Sequence, residues 1–225
     1  MVRHSREDAI TDKQFDRLYQ AAQKMAEPYR LDCLFVLIGA GRLGLRAGEL
    51  CHVDETWINW ERRQLEIPSI DPCTEGRDGG VCGYCRDQAI SAAQCADGDL
   101  SMEDALAQRW EPKTDNGARA IPFGFDDRVG TVLEEFFMFR DGYDRSRSSI
   151  NRRVDRMLEA ADYPTSLTYP HALRATAAMY HASRGVNTAA LQALMGWKKL
   201  DTAQAYVRLS GEQTRRALEQ AHGAD

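Results

Sequence analysis

The stretch YPHALRATAAMYH, residues 169–181, decides how this chain reads. Pro170 suits a first helical turn, where its missing N–H has no partner to lose, and Ala172, Leu173, Ala175, Ala177, Ala178 and Met179 are good helix formers. The spacing therefore predicts a helix opening here. His171 and Arg174 stand three apart and share one face of its first turn. A helix N-terminus already offers free N–H groups and the positive end of a macrodipole. An imidazole and a guanidinium added there aim at an anion, and a phosphate fits both. Alone, the pair also fits a surface arginine and a capping histidine, so the rest of the chain has to decide.

Working outward, the C-terminal part reads as helices over roughly 126–140, 148–161, 171–184, 187–195, 201–209 and 211–221. Asn187 and Asp201 are candidate N-caps, and Gly185 and Gly196 are stops. Toward the N-terminus, Thr11 and Gln14 form a capping box that opens a helix over about 12–26. Residues 30–40 read as a buried helix ended by the glycines of GAGRLG, and RAGELCHV as a short helix after it. Trp57–Trp60 and QLEIP (64–68) predict paired strands around the turn ERR. AQRWEPKT and ARAIPF predict a second hairpin, with DNG as its turn. Residues 70–100 form an insertion, first polar and rich in Gly, Cys and Asp, then helical in RDQAISAAQCA. The expected class is mainly α with a small antiparallel β-sheet (α+β), carrying a Cys-containing insertion.

The 225 residues carry a net charge of −5, which argues at first against a nucleic-acid partner. Net charge is a poor guide to a local patch, however. Of 29 Lys and Arg residues only five are Lys (13, 24, 113, 198 and 199), leaving 24 Arg. Arginine is the better residue for bidentate phosphate contacts. An acidic, Lys-poor, Arg-rich chain fits a salt-loving host, and GC-rich codon usage produces the same bias. No apolar run reaches the length of a membrane span, since CLFVLIGAG (33–41) is too short. The N-terminal MVRHSREDAI lacks an apolar signal segment, so the expected location is the cytoplasm.

Three more stretches bear on the opening one. GRLGLRAGELCHVD places Arg46 after a Gly-rich turn. EPKTDNGARAIPF carries Lys113, the only Lys between residues 25 and 197. LMGWKKLDTAQAYVRLS sets Trp197 after a helix stop and Tyr206 in the next helix. With HALR, these resemble the catalytic domain of the tyrosine recombinases, the phage-integrase family. Arg46, Lys113, His171, Arg174, Trp197 and Tyr206 match that family's polar set in its order, over roughly residues 10–222 apart from the insertion.

The resemblance implies strand cleavage and rejoining of DNA, and the residue types suit that chemistry. Displacement at an anionic phosphodiester adds charge to the non-bridging oxygens, so catalysis is positioning plus electrostatic stabilisation. Two guanidiniums, Arg46 and Arg174, clamp those oxygens and stay protonated. Tyr206 is the implied nucleophile, His171 the assisting acid/base, and Lys113 the donor to the departing 5′-oxygen. Trp197 stands where a His is more usual; an indole donates a hydrogen bond but cannot act as a base. The implied product is a 3′-phosphotyrosyl link with a free 5′-hydroxyl, in a cycle needing no ATP, nicotinamide or metal. Glu49 reads as a buried structural partner, His181 as structural, and Arg152, Arg153 and Arg156 as facing solvent or DNA backbone.

The insertion holds Cys73, Cys82, Cys85 and Cys95, with Cys82 and Cys85 as a C-x-x-C knuckle. Four thiolates would make a closed structural Zn²⁺ site. Cys95 lies well along a predicted helix and also reads as a core thiol, and a regulatory dithiol or an inert loop remains open for the cluster.

The expected partner is double-stranded DNA, bound by a homo-oligomer that the family resemblance makes a tetrameric synapse, with no membrane. The family's separate N-terminal DNA-clamping domain is not expected, because the catalytic pattern starts near residue 10. Two competing functions share the residues: a catalytically silent DNA-binding accessory and a type IB topoisomerase-like strand-relaxing enzyme.

Overall fold

A helix that is apolar on every side has to be surrounded, and YRLDCLFVLIGAG forms one: α2 (Tyr29–Gly41) is buried from Leu31 to its end. In the computed structural model, which describes residues 5–74, 76, 79–95, 101–107, 110–112, 114–143, 145–164 and 168–223, four helices pack around it. These are α1 (Asp12–Gln23), α6 (Asp127–Phe139), α7 (Arg147–Ala160) and α8 (Pro170–Ser183). The capping box opens α1: the Thr11 hydroxyl accepts from the Gln14 N–H at 3.3 Å, and the Gln14 carbonyl oxygen accepts from the Thr11 N–H at 2.8 Å.

Asp32 is the one charged side chain in the buried stretch of α2, and it is fully buried. Arg153, Arg140 and Arg145 converge on it at 2.8, 3.1 and 3.1 Å. This corrects the expectation that Arg153 faces solvent or DNA. Residue 153 falls on the α7 face of Ile150, Val154 and Met157, which is the core face. Arg152 is exposed, and Arg156 lies 3.7 Å over the Tyr29 ring.

The sheet has three antiparallel strands in the order β1 (Ile58–Asn59), β2 (Gln64–Ile67), β3 (Arg119–Pro122). Leu65 pairs with Ile58 on one side and Ile121 on the other, and Leu65 and Ile121 both bury their side chains. The expected second hairpin is therefore not formed. ARAIPF pairs with QLEI, while the described part of AQRWEPKT makes only an isolated bridge, Trp110 to Asp71. Pro112 cannot donate to a ladder, and DNG (Asp115–Gly117) is a 3₁₀ turn.

Between α2 and the sheet lies the six-residue α3 (Ala47–His52). The insertion supplies α4 (Gly83–Cys95) and α5 (Met102–Ala107). The C-terminal helices are α9 (Thr188–Met195), α10 (Leu200–Ser210) and α11 (Glu212–His222). Asn187 caps α9, its side chain accepting from the Ala190 N–H at 2.9 Å. Asp201 is not the cap of α10; Lys199 holds that position, and Asp201 sits within the first turn, where an acid still complements the macrodipole. Among the described residues no helix is long and apolar enough to cross a membrane.

Candidate functional site and metal-ligand cluster

Arg46, His171, Arg174 and Trp197 line one cleft of about 970 Å³. Three segments bring them there: the N-cap of α3, the start of α8 for His171 and Arg174, and the residue after the α9 stop. Glu49 ties the set together. Its carboxylate, 2% exposed, accepts from Arg46 at 2.7 Å and from Arg119 at 3.0 Å through each oxygen, and lies 3.9 Å from Arg174. It also accepts from the Arg46 backbone N–H at 2.8 Å, closing the first turn of α3. Burial alone would raise this carboxyl. Arg119, Arg174 and Arg46 outweigh burial and hold it at about 2. Burial pulls the Arg174 guanidinium down to about 9, against the pull of Glu49, so it remains a cation at neutral pH.

Backbone carbonyls aim the guanidiniums. Arg46 donates to the Gly196 carbonyl at 2.7 Å, and Arg174 donates to those of Gly44 and Met195. Both glycines take left-handed backbone, at φ +66° for Gly44 and +59° for Gly196. A Cβ at Gly44 would stand 2.6 Å from the Met195 sulfur, and one at Gly196 2.7 Å from the Asn116 carbonyl oxygen. Only glycine lets these carbonyls face the arginines.

Arg119 was not singled out from the sequence. Its signal is there: strand periodicity puts residue 119 on the face of Ile121, and a cation on a buried face requires a buried anion. Lys113 lies outside the described residues. His171 is exposed at the cleft. Tyr206 does not line the cleft. It is 6% exposed on the inner face of α10, packed with Ala175, Ala178, Leu191, Met195 and Val207. The half-buried Trp197 stacks on its ring at 5.2 Å between centroids, with the planes 15° apart.

The insertion forms one wall of the cleft through Tyr84 and Gln88. Behind that wall His52, Cys73, Cys82 and Cys85 gather, their ligand atoms all within 4.8 Å of one another. Cys95 is not among them. It is exposed at the last residue of α4, about 15 Å along the axis from Cys85 at 1.5 Å per residue. The imidazole of His52, which ends α3, takes the fourth place. No sequence spacing flagged it, because it lies in the GELCHVD stretch, ahead of the sheet and the insertion.

The His52 Nε2 stands 3.5, 3.5 and 3.4 Å from the sulfurs of Cys73, Cys82 and Cys85. A tetrahedral Zn²⁺ with bonds of about 2.3 Å to S and 2.05 Å to N would set those edges at about 3.6 Å. The His52 Nδ1 meets the Gly48 carbonyl at 2.7 Å, which makes Nδ1–H the donor and leaves the Nε2 lone pair for a metal. Backbone N–H groups of Cys82 and Cys85 donate to the sulfurs of Cys73 and Cys82, each at 3.4 Å. Hydrogen bonds from the thiols of Cys82 and Cys85 favour a thiolate at Cys73, while the same crowding holds the Cys85 thiol protonated. The donor set is that of a closed site for a soft, tetrahedral cation.

A mostly helical domain with a three-stranded sheet and a cleft holding Arg46 and Arg174 can now be set beside known proteins. Residues 100–213, just over half of the chain, match the phage integrase family, and the chain belongs to that family. It is 31% identical over 179 residues to the tyrosine recombinase XerC of Corynebacterium efficiens, an alignment covering 80% of this chain and 47% of that protein. The chain thus spans about half the length of that relative. Its fold resembles the Tn1549 transposon integrase solved with transposon right end DNA, at TM-score 0.65 and 19% identity, over 96% of this chain and 66% of the other. It also resembles the XerH recombinase bound to palindromic difH, at TM-score 0.60 and 13% identity, over 94% and 52%.

Proposed function

We propose that this chain is a recombinase or integrase catalytic domain, over residues 10–222, that cuts and rejoins double-stranded DNA at specific sites through a 3′-phosphotyrosyl link on Tyr206. The observation that carries the reading is the cleft: Arg46 and Arg174, far apart in sequence, share one buried carboxylate and one opening. Two cationic forks beside one cavity suit the non-bridging oxygens of a phosphodiester. His171 serves as acid/base from the first turn of α8. Lys113, by the family resemblance, protonates the departing 5′-oxygen. Trp197 orients the phosphate through its indole N–H and covers the nucleophile.

In the arrangement described, Tyr206 lies under Trp197, so attack requires Trp197 and α10 to give way. The Tyr206 phenol then passes its proton to His171, its oxygen bonds to phosphorus, and the bond from phosphorus to the 5′-oxygen breaks, that oxygen taking a proton from Lys113. The link conserves the phosphoester energy, so the resealing strand needs only its 5′-hydroxyl and no ATP or metal. The active assembly is a homo-oligomer on DNA, a tetramer by the same resemblance, working in the cytoplasm. A structural Zn²⁺ would be held by Cys73, Cys82 and Cys85 of the insertion together with His52 of α3, which fits the 3.4–3.5 Å edges and the largely buried donors.

The test is to recover the chain from cells under denaturing conditions and sequence the DNA covalently attached to it. DNA joined by its 3′-end to Tyr206, with none on the Tyr206→Phe variant, is the expected result. Binding to duplex without any covalent DNA would overturn cleavage in favour of the silent accessory. Covalent DNA that relaxes supercoils without exchanging strands would favour the strand-relaxing enzyme.

A further inference from the structure

Six residues do not hold a helix by themselves, because nucleation costs more than so short a run of backbone hydrogen bonds returns. The shape of α3 therefore comes from its surroundings: Leu50 and Cys51 are packed in the core, and both of its ends are held as well. At its N-terminus Glu49 accepts from the Arg46 backbone and side chain, and Arg46 lines the cleft. At its C-terminus His52 faces three cysteine sulfurs. Gly48, between them, is held from both sides. Its carbonyl accepts from the His52 Nδ1–H, and the Tyr84 ring packs against it, so that a Cβ there would stand 3.8 Å from the ring. Tyr84 itself lies between Cys82 and Cys85 and faces the cleft.

We propose that one metal ion on His52, Cys73, Cys82 and Cys85 positions the cleft. Through His52 it fixes α3 and hence Arg46, and through Cys82 and Cys85 it fixes the Tyr84 wall. This rests on the zinc reading above. His52 is a positioning residue in this scheme: it touches no DNA and acts through the helix it ends. Trp110 backs it, stacked on the imidazole at 5.3 Å and against Trp57 at 5.0 Å, so the imidazole has little room to turn away from the sulfurs.

The test uses the whole chain purified with zinc, and three readouts: metal content with the visible spectrum of the Co²⁺-substituted form, amide hydrogen exchange, and the rate of covalent trapping on the DNA recovered above. Wild type is expected to hold one ion per chain and to show thiolate-to-cobalt charge-transfer bands. His52→Ala should lose the ion, speed exchange in residues 46–52 while sparing α8, and slow trapping roughly a hundredfold, the scale of a small displacement at a reacting centre. His52→Cys should restore the ion, slow exchange and trapping together. Cys95→Ser, exposed and remote, should change none of these. A wild type that holds no ion overturns the zinc reading and this inference with it. An ion that is bound, but whose loss leaves exchange at 46–52 and trapping unchanged, overturns the coupling alone. If trapping fails even with the ion present, hydrogen exchange still decides the coupling.

Discussion

Replacing Glu49 by Gln removes the anion that three arginines share while keeping the shape of the side chain. The carboxyl falls from 4.5 in its ordinary state to about 2 in the folded chain. That fall corresponds to about 3 kcal/mol of stability near neutral pH, in line with the cost of removing one partner from a buried charge pair. Because the folded value is depressed, the contribution is present above about pH 4.5 and is lost as pH falls toward 2. Urea unfolding of wild type and Glu49→Gln, followed by far-UV circular dichroism from pH 7 to pH 2.5, measures it. Taking the difference between the two proteins cancels every other acid-sensitive group. The gap should be about 3 kcal/mol at pH 7, hold to about pH 5, and shrink steeply below pH 4. A gap that stays constant across that range, or no gap at pH 7, would refute the assignment of Glu49 as the ionised hub.

Gly196→Ala should destabilise the chain by about 1–2 kcal/mol, because its left-handed backbone disfavours a side chain, and should also slow covalent trapping by moving the carbonyl that aims Arg46; a variant trapping at the wild-type rate would show that carbonyl to be dispensable. Asp32→Asn leaves Arg140, Arg145 and Arg153 facing a neutral amide in the core and should cost about 3–5 kcal/mol in urea, without altering metal content.

The helical framework was legible in the sequence because its signals are local. The capping box at Thr11, the unbroken apolar run of α2, Asn187 before α9 and the glycines after α8 and α9 each act within a turn or two of their own position. What was not legible depends on partners distant in the chain. The β2–β3 pairing joins residues across the whole insertion, and a nearby turn signal at Asp115–Gly117 suggested a local hairpin instead. Arg153 looked like part of an exposed basic run until Asp32, on another helix, supplied its anion. Cysteine spacing brought out Cys73, Cys82 and Cys85, but it also drew in Cys95 and left out His52, because sequence proximity was standing in for proximity in space. The motif residues of the cleft stood out as a set, whereas the cover that Trp197 lays over Tyr206 is a matter of packing that no spacing records.

The hub at Glu49 has one more effect. Three guanidiniums set against one carboxylate leave an excess of two positive charges in that cluster, within a chain whose total is −5. Seen from afar, such a molecule repels a polyanion; only close to the cluster does an anion meet attraction. Dissolved salt screens the distant repulsion and also weakens attraction at the open cleft, whereas the buried contacts of Glu49 with Arg119 and Arg174 are screened much less, so the cluster keeps its shape in brine.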